Sequence, residues 1–381
     1  MKRYWLIFAQ TVTVALGLYF VVVTLRPDWL GRQVSQVQVG GGPRAVQVLQ
    51  AASAPVPGSY REAAGRAMPT VVNILTSKAL RESHPVLKDP FFKRFFDDRA
   101  PEEQLASLGS GVIVSANGYI LTNYHVVEAA DEIEVGLADG RKAAARIVGT
   151  DPETDLAVIR IDARNLPVMV MGHADQARVG DVVLAIGNPF GVGQTVTMGI
   201  ISALGRNNLH INHFENFIQT DAAINFGNSG GALVDTNGNL LGINSAIYSQ
   251  TGGSVGIGFA IPVSTATMVL EQIILHGQVV RGWIGIESQD ITPELADSFG
   301  LGRQNGAIIA GVVRGGPADQ AGMRPGDILL NVDGKPVGNT SDMLNLIAQL
   351  QPGGKARLTV MRKNREATLD VTVGRRPRQV E

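Results

Sequence analysis

The 381-residue chain has no cysteine. Disulfides, thiol catalysis and thiolate metal sites are therefore excluded, a composition that fits an oxidising compartment. Net charge is almost absent too. With 33 basic residues against 34 acidic ones, nothing draws the chain electrostatically to nucleic acid, and no such partner is expected. Histidine is sparse, six residues in all, so a general base has few candidates. Long helical periods are missing over most of the length. Glycine, by contrast, is abundant at 45 residues, well above the usual share of about 7%, which points to tight turns and close backbone approaches.

The N-terminus holds the one long apolar run. After Lys2 and Arg3, the 22 residues from Tyr4 to Leu25 carry no charge. As a helix rising about 1.5 Å per residue they would span about 33 Å, the thickness of a bilayer core. The run is longer than the apolar stretch of a secretory signal, and no small-residue cleavage motif follows it directly. Residues 1–25 are thus expected to be a short cytoplasmic end and a transmembrane helix. Everything after them would then lie outside the cytoplasm. Residues 26–60, rich in Gly, Pro, Gln, Ser and Ala, read as a linker.

From Met68 onward, short β-branched runs alternate with Gly, Asn and Asp. The dipeptides Asn117-Gly118, Asp139-Gly140 and Asn237-Gly238 mark hairpins. Regular short strands without intervening long helices predict a barrel or sandwich rather than a parallel α/β sheet. The segment "DPFFKRFFDDRAPEEQ", near 89–104, reads as a surface-loop insertion. A helix at "PVSTATMVLEQIILHG", with Ser264 as N-cap, Met268, Ile273 and Ile274 buried and Gly277 as its stop, closes the domain spanning 61–278. A second β-rich unit covers 282–376 and contains one helix, "SDMLNLIAQL".

Cleavage of a peptide bond by serine needs a base, an acid that orients the base, and donors for the oxyanion; it needs no cofactor. Of the histidines only His125, in "YILTNYHVVEAAD", ends an apolar strand. "HINH" at 210–213 has neither cysteine nor a carboxylate cluster beside it and reads as a surface loop, so no metal is expected. Asp155 immediately precedes the apolar run Leu156–Ile161 and is the leading acid; Asp151, Asp162 and Asp181 sit in turn-like contexts. Ser229 lies in "NFGNSGG", where glycines at 227 and 230 let the N–H groups of Gly227, Asn228 and Ser229 face one concavity. The order His125, Asp155, Ser229 is that of chymotrypsin-like enzymes. The competing Gly-x-Ser-x-Gly elbow of α/β-hydrolases requires a helix after the serine and a downstream acid and histidine. Here a hairpin pattern follows, and only His276 remains.

These residues, with "SGVIVSANGYILTNYHVV", "TDLAVIRI", "GNPFG", "QTDAAINFGNSGGALVD" and "GFAIPV", closely resemble the HtrA family of serine proteases, nearest its membrane-anchored DegS type. The resemblance covers about residues 60–376. It implies a mostly β chain: a chymotrypsin-like double β-barrel protease domain followed by one PDZ domain. Two departures are Phe226 and Ala232, positions where relatives often have proline. In the PDZ module it implies that Trp283, Ile284, Gly285 and Ile286 form a loop for a peptide carboxylate, with Met343 and Ile347 lining the side-chain pocket. Ala223 and Ile224, with no acid between them, point to a small or medium apolar P1 residue in the S1 pocket. The DegS type further implies an anchor in the bacterial inner membrane with the protease and PDZ domains in the periplasm, a homotrimer, activation by C-terminal peptides of misfolded outer-membrane proteins, and as substrate the periplasmic part of an anti-sigma factor. The alternatives are a broad periplasmic quality-control protease and a non-enzymatic PDZ scaffold. The former usually has a cleavable signal and a second PDZ module, and the intact His, Asp and Ser argue against the latter.

Overall fold

The computed structural model describes residues 58–77, 106–128, 130–188, 193–207, 209, 211–225, 227–247, 254–298 and 305–377, and the backbone of 35–39 and 46–50. The apolar run 4–25, the insertion near 89–104, His84, His210 and Phe226 lie outside the described residues. Among those described, no helix is long and apolar enough to cross a membrane.

The short β-branched runs form two six-stranded barrels. The first closes in the order β3 (Val71–Ser77), β4 (Ala106–Ile113), β5 (Tyr119–Thr122), β8 (Leu156–Ile161), β7 (Lys142–Asp151), β6 (Glu132–Gly136). Its interior is filled by Val72, Ile74, Ile113, Ile120, Val135 and Ile159. The second runs β14 (Leu240–Ile247), β13 (Ala232–Asp235), β10 (Val182–Gly187), β11 (Thr195–Arg206), β12 (Phe217–Thr220), β15 (Gly258–Pro262) and closes through β14–β15 pairing. The expected hairpin glycines at 118, 140 and 238 all adopt positive φ, near +82°, +87° and +81°, the conformation their turns require.

A shared apolar layer, including Leu121, Leu156, Leu184, Ile186, Phe217 and Phe259, joins the barrels to α2 (Val263–His276), which follows the shorter α1 (Tyr124–Val127). The helix α2 ends as the sequence predicts: Gly277 at φ 71° donates its N–H to the Ile273 carbonyl at 2.8 Å. Its start differs. Pro262 is the N-cap and Ser264 is exposed within the first turn, because β15 runs directly into the helix. Met268 is only half-buried, whereas Val269 and Leu270 face the core.

The linker differs as well. Residues 35–39 and 46–50 form an antiparallel pair, β1 and β2, and β2 joins the short β9 (Val170–Met171) in parallel. The period-2 alternation of Val and Gln in "SQVQV" and "VQVLQ" accounts for it.

Residues 282–376 contain a second set of strands. Its main sheet is β17 (Ile286–Asp290), β18 (Ala307–Val312), β19 (Ile328–Val332), β21 (Lys355–Arg362), β22 (Arg365–Thr372), with β20 (Lys335–Pro336) beside β19 and β16 (Gly282–Trp283) paired with β23 (Gly374–Arg375). The helix α3 (Thr340–Ala348) is capped by the Asn339 side chain, which accepts the Asp342 N–H at 2.8 Å. A buried carboxylate holds this unit together. Asp327 accepts Nε and Nη2 of Arg362 at 2.7 and 2.6 Å and the Arg324 N–H at 2.9 Å, and its hydrogen bond raises the Arg362 pKa above the usual guanidinium value. Asp327→Ala would leave Arg362 without its counter-charge, and a loss of about 3 kcal/mol in PDZ stability is expected. Amide hydrogen exchange checks this: β19 and β21 should lose protection while the barrels keep theirs, and unchanged protection would refute it.

Candidate active site

The cleft between the barrels gathers the three sequence-selected residues from three separate turns. His125 sits on α1, which begins where β5 leaves the first barrel. Asp155 closes the turn between β7 and β8 at φ 58°, a left-handed conformation that Asp tolerates better than most residues. The buried Asn123 side chain donates to the Asp155 carbonyl at 2.9 Å and so holds that turn against the histidine segment. The Asp155 carboxylate then accepts the His125 backbone N–H at 3.0 Å and faces His125 Nδ1 at 2.8 and 2.9 Å. Asp155 is 8% exposed.

A fourth residue, absent from the sequence analysis, completes this arrangement. Ser245, in β14, donates its hydroxyl to Asp155 Oδ2 at 2.9 Å, and its backbone carbonyl accepts the Ser229 hydroxyl at 3.2 Å. Among the described residues Ser229 Oγ makes no hydrogen bond to His125, so the nucleophile candidate rests on Ser245. The only sequence signal for Ser245 is the polar pair Asn244-Ser245 in the midst of an otherwise apolar strand, "LLGINSAI".

The turn carrying Ser229 is fixed by its neighbours. Gly230 has φ 80°, and a Cβ there would lie 2.1 Å from the Ser110 carbonyl oxygen, so only glycine fits. The Ser229 carbonyl accepts the Ser110 N–H at 2.8 Å, and Gly230 N–H donates to Asn244. Here the expectation of three oxyanion donors is corrected. The Asn228 N–H donates to the Asn225 carbonyl at 3.0 Å and is occupied by the turn itself. The N–H groups of Gly227, at φ 93°, and Ser229 have no acceptor among the described residues.

Of the two S1 residues, Ala223 is half-buried and its carbonyl accepts Thr197 Oγ1 at 2.7 Å. Ile224 is fully enclosed in the second barrel's interior against Gly258, where a Cβ would approach Ile224 Cδ1 to 2.9 Å. Asp151, one of the weaker acid candidates, serves another purpose. It is paired with the buried Arg281 at 2.6 and 2.5 Å, at the entry to the PDZ unit. Glu153 binds Arg281 at 3.2 Å and Arg376 at 2.6 Å, and both guanidinium groups lie over the Phe214 ring. The two domains thus meet on the segment that leads into Asp155.

In the PDZ unit, β17 lies at the end of its sheet beside α3, which suits strand addition. Gly285 has φ 76°; the Ile284 and Gly285 carbonyls accept Ala318 and Val313 N–H groups, and their own N–H groups have no acceptor among the described residues. Trp283 is half-buried against Gly285, and Ile286 opens β17. Met343 and Ile347 depart from expectation: with 0% and 5% exposure they belong to the PDZ core with Ile284, not to an open groove wall. The inward face of α3 gives the domain its core before it can give a pocket its lining.

Two six-stranded barrels with a cleft between them define the class, a trypsin-like serine peptidase fold with a PDZ domain appended. The trypsin-like peptidase domain family matches residues 109–243 and the PDZ domain family residues 282–373. The HtrA-type protease AlgW, solved with a decapeptide, is 55% identical and superposes with a TM-score of 0.72, covering 84% of this chain and 99% of that one. The probable periplasmic serine endoprotease DegP-like of Ectopseudomonas mendocina is 43% identical over 82% of this chain and 70% of its own length. That of Chlamydia trachomatis serovar D is 48% identical over 76% of this chain, which spans only 59% of that relative's length. The chain belongs to the HtrA family of serine proteases.

Proposed function

We propose that the protein is a membrane-anchored periplasmic serine endoprotease regulated through its PDZ domain. The observation that carries this reading is the Asp155 carboxylate, which faces His125 Nδ1 at 2.8 Å and accepts the Ser245 hydroxyl, while Ser229 rests on the Ser245 carbonyl. Asp155 holds the imidazole with Nδ1–H toward itself, leaving Nε2 to act as general base. Ser229 is the nucleophile once its hydroxyl leaves the Ser245 carbonyl for His125. The N–H groups of Gly227 and Ser229 receive the oxyanion. With no carboxylate at Ala223 or Ile224, the P1 side chain is small or medium and apolar. Ile284 and Gly285 offer their N–H groups to a peptide carboxylate.

The narrower role, cleavage of a membrane-bound anti-sigma factor's periplasmic part in response to outer-membrane protein C-termini, rests on the resemblance to the DegS type and on the anchor-length run 4–25. A fluorophosphonate is expected to label Ser229, and a peptide with an apolar C-terminal residue should raise both labelling and cleavage. The same peptide as its amide should not activate. Equal activation by the amide would overturn the carboxylate assignment, and no labelling even with peptide present would overturn the enzyme reading. Proteolysis of candidate anti-sigma domains by membrane fractions, wild type against Ser229→Ala, tests the substrate.

A further inference from the structure

Ser110 lies in β4 of the first barrel, has no exposed surface and takes no part in the chemistry described above. Its hydroxyl donates to the Gly227 carbonyl at 2.6 Å and accepts the Asn188 N–H at 2.8 Å. Its backbone N–H donates to the Ser229 carbonyl at 2.8 Å, and its carbonyl accepts Thr122 Oγ1 at 2.7 Å. Every polar group of this residue is thus engaged, and two of its bonds end on the turn that carries Ser229.

The Gly227–Asn228 peptide is consequently held at both ends. Its carbonyl is taken by Ser110 Oγ, and its N–H by the Asn225 carbonyl at 3.0 Å. The two N–H groups without acceptors among the described residues, Gly227 and Ser229, flank this one peptide. A peptide plane clamped on both sides restrains ψ of Gly227 and φ of Asn228, the two torsions next to it, and so sets the frame from which the flanking N–H groups project. Gly227 has φ 93° and no Cβ, so its own conformational preference resists a plane flip only weakly. The restraint must come from the partners of the plane.

We propose that Ser110 is a positioning residue for the oxyanion turn, its hydroxyl holding the Gly227–Asn228 peptide so that the Gly227 and Ser229 N–H groups converge on one point. The proposal rests on the assignment of Ser229 as nucleophile. Without the hydroxyl, the Gly227 carbonyl and the Asn188 N–H both lose a buried partner, and rotation of the plane restores solvent or local partners at the cost of oxyanion geometry. The bond acts on the developing oxyanion and not on ground-state binding, so the defect should appear in kcat and leave KM in place.

The test compares Ser110→Ala, Ser110→Thr and Ser110→Val in the full chain, with an apolar-ended activating peptide present. Thr and Val have nearly the same shape and differ in the hydroxyl. For Ala and Val, kcat for a peptide substrate and the rate of Ser229 phosphonylation should both fall about 10–100-fold, with KM changed by less than about twofold. Thr should retain most of the rate. Wild-type kcat in the Ala variant, or equal rates for Thr and Val, would overturn the proposal. If the Ala variant does not fold, Ser110→Cys replaces it; its weaker donor should give an intermediate loss of kcat, and an unchanged kcat would count against the clamp. Ser229→Ala is assayed in parallel. Activity retained there would overturn the nucleophile assignment itself, whereas an inactive Ser229→Ala beside a fully active Ser110→Ala would overturn the clamp alone.

Discussion

Replacing Ser229 with alanine is expected to lower kcat for peptide hydrolysis by about a million-fold, leaving only what oxyanion donors and substrate binding supply without a nucleophile. The size of the loss follows from the geometry. Among the described residues only Ser229 brings a side-chain hydroxyl to the turn whose two flanking N–H groups have no acceptor there, and the nearby Ser245 hydroxyl is committed to Asp155. Water would have to attack from a site the turn does not organise. His125→Ala should cost nearly as much, and the double variant no more than either alone, because the residues act as one unit. Steady-state cleavage of a peptide substrate measures all three, and binding of a C-terminal peptide to the PDZ domain should stay at the wild-type value in each. Additive losses would mean that His125 and Ser229 work separately.

These residues could be found in the sequence because each stands at a boundary. His125 follows the end of an apolar strand, Asp155 precedes the start of one, and Ser229 is followed by Gly230, which the close approach of Ser110 demands. Such boundaries leave a trace in the order of residue types. The all-β architecture was readable for the same reason: short β-branched runs broken by Asn-Gly and Asp-Gly dipeptides form a barrel or a sandwich, and the choice of a double barrel came from the resemblance.

Residues that act from inside strands left no such trace. Ser245 and Ser110 are serines inside β14 and β4, and nothing local separates them from any other buried serine. Their partners lie 90 and 117 positions away along the chain, so only closure of the barrels brings out their roles. Asn228 misled in the opposite direction. Its place between Gly227 and Ser229 suggested an oxyanion donor, but a tight turn must satisfy one of its own N–H groups internally, and that group is Asn228's. Met343 and Ile347 show the limit of helical periodicity, which finds the buried face of α3 without saying whether core or ligand covers it. In residues 35–50 the surrounding Gly and Gln masked a real strand alternation, and the pairing with β9 became visible only in three dimensions.

Asp155→Asn is expected to lower kcat about 10⁴-fold, the loss known for the corresponding change in a trypsin-like triad, without unfolding the barrels. The carboxylate accepts from three donors, the His125 N–H, His125 Nδ1 and Ser245 Oγ, and an ionised carboxylate can serve them all. An asparagine cannot. The His125 backbone N–H, 3.0 Å from Oδ1, keeps the amide oxygen at that position, so the NH₂ group takes the Oδ2 position, 2.8 Å from His125 Nδ1. Nδ1 must then accept a hydrogen bond, which moves the imidazole proton to Nε2 and removes the base from the side facing the substrate. Asp151→Asn is the matched control. Its carboxylate faces Arg281 and Thr154 rather than His125, so it should weaken the contact between the domains and leave the tautomer alone. If Asp151→Asn lost as much kcat as Asp155→Asn, or if Asp155→Asn lost less than about tenfold, the carboxylate would not be setting the histidine tautomer.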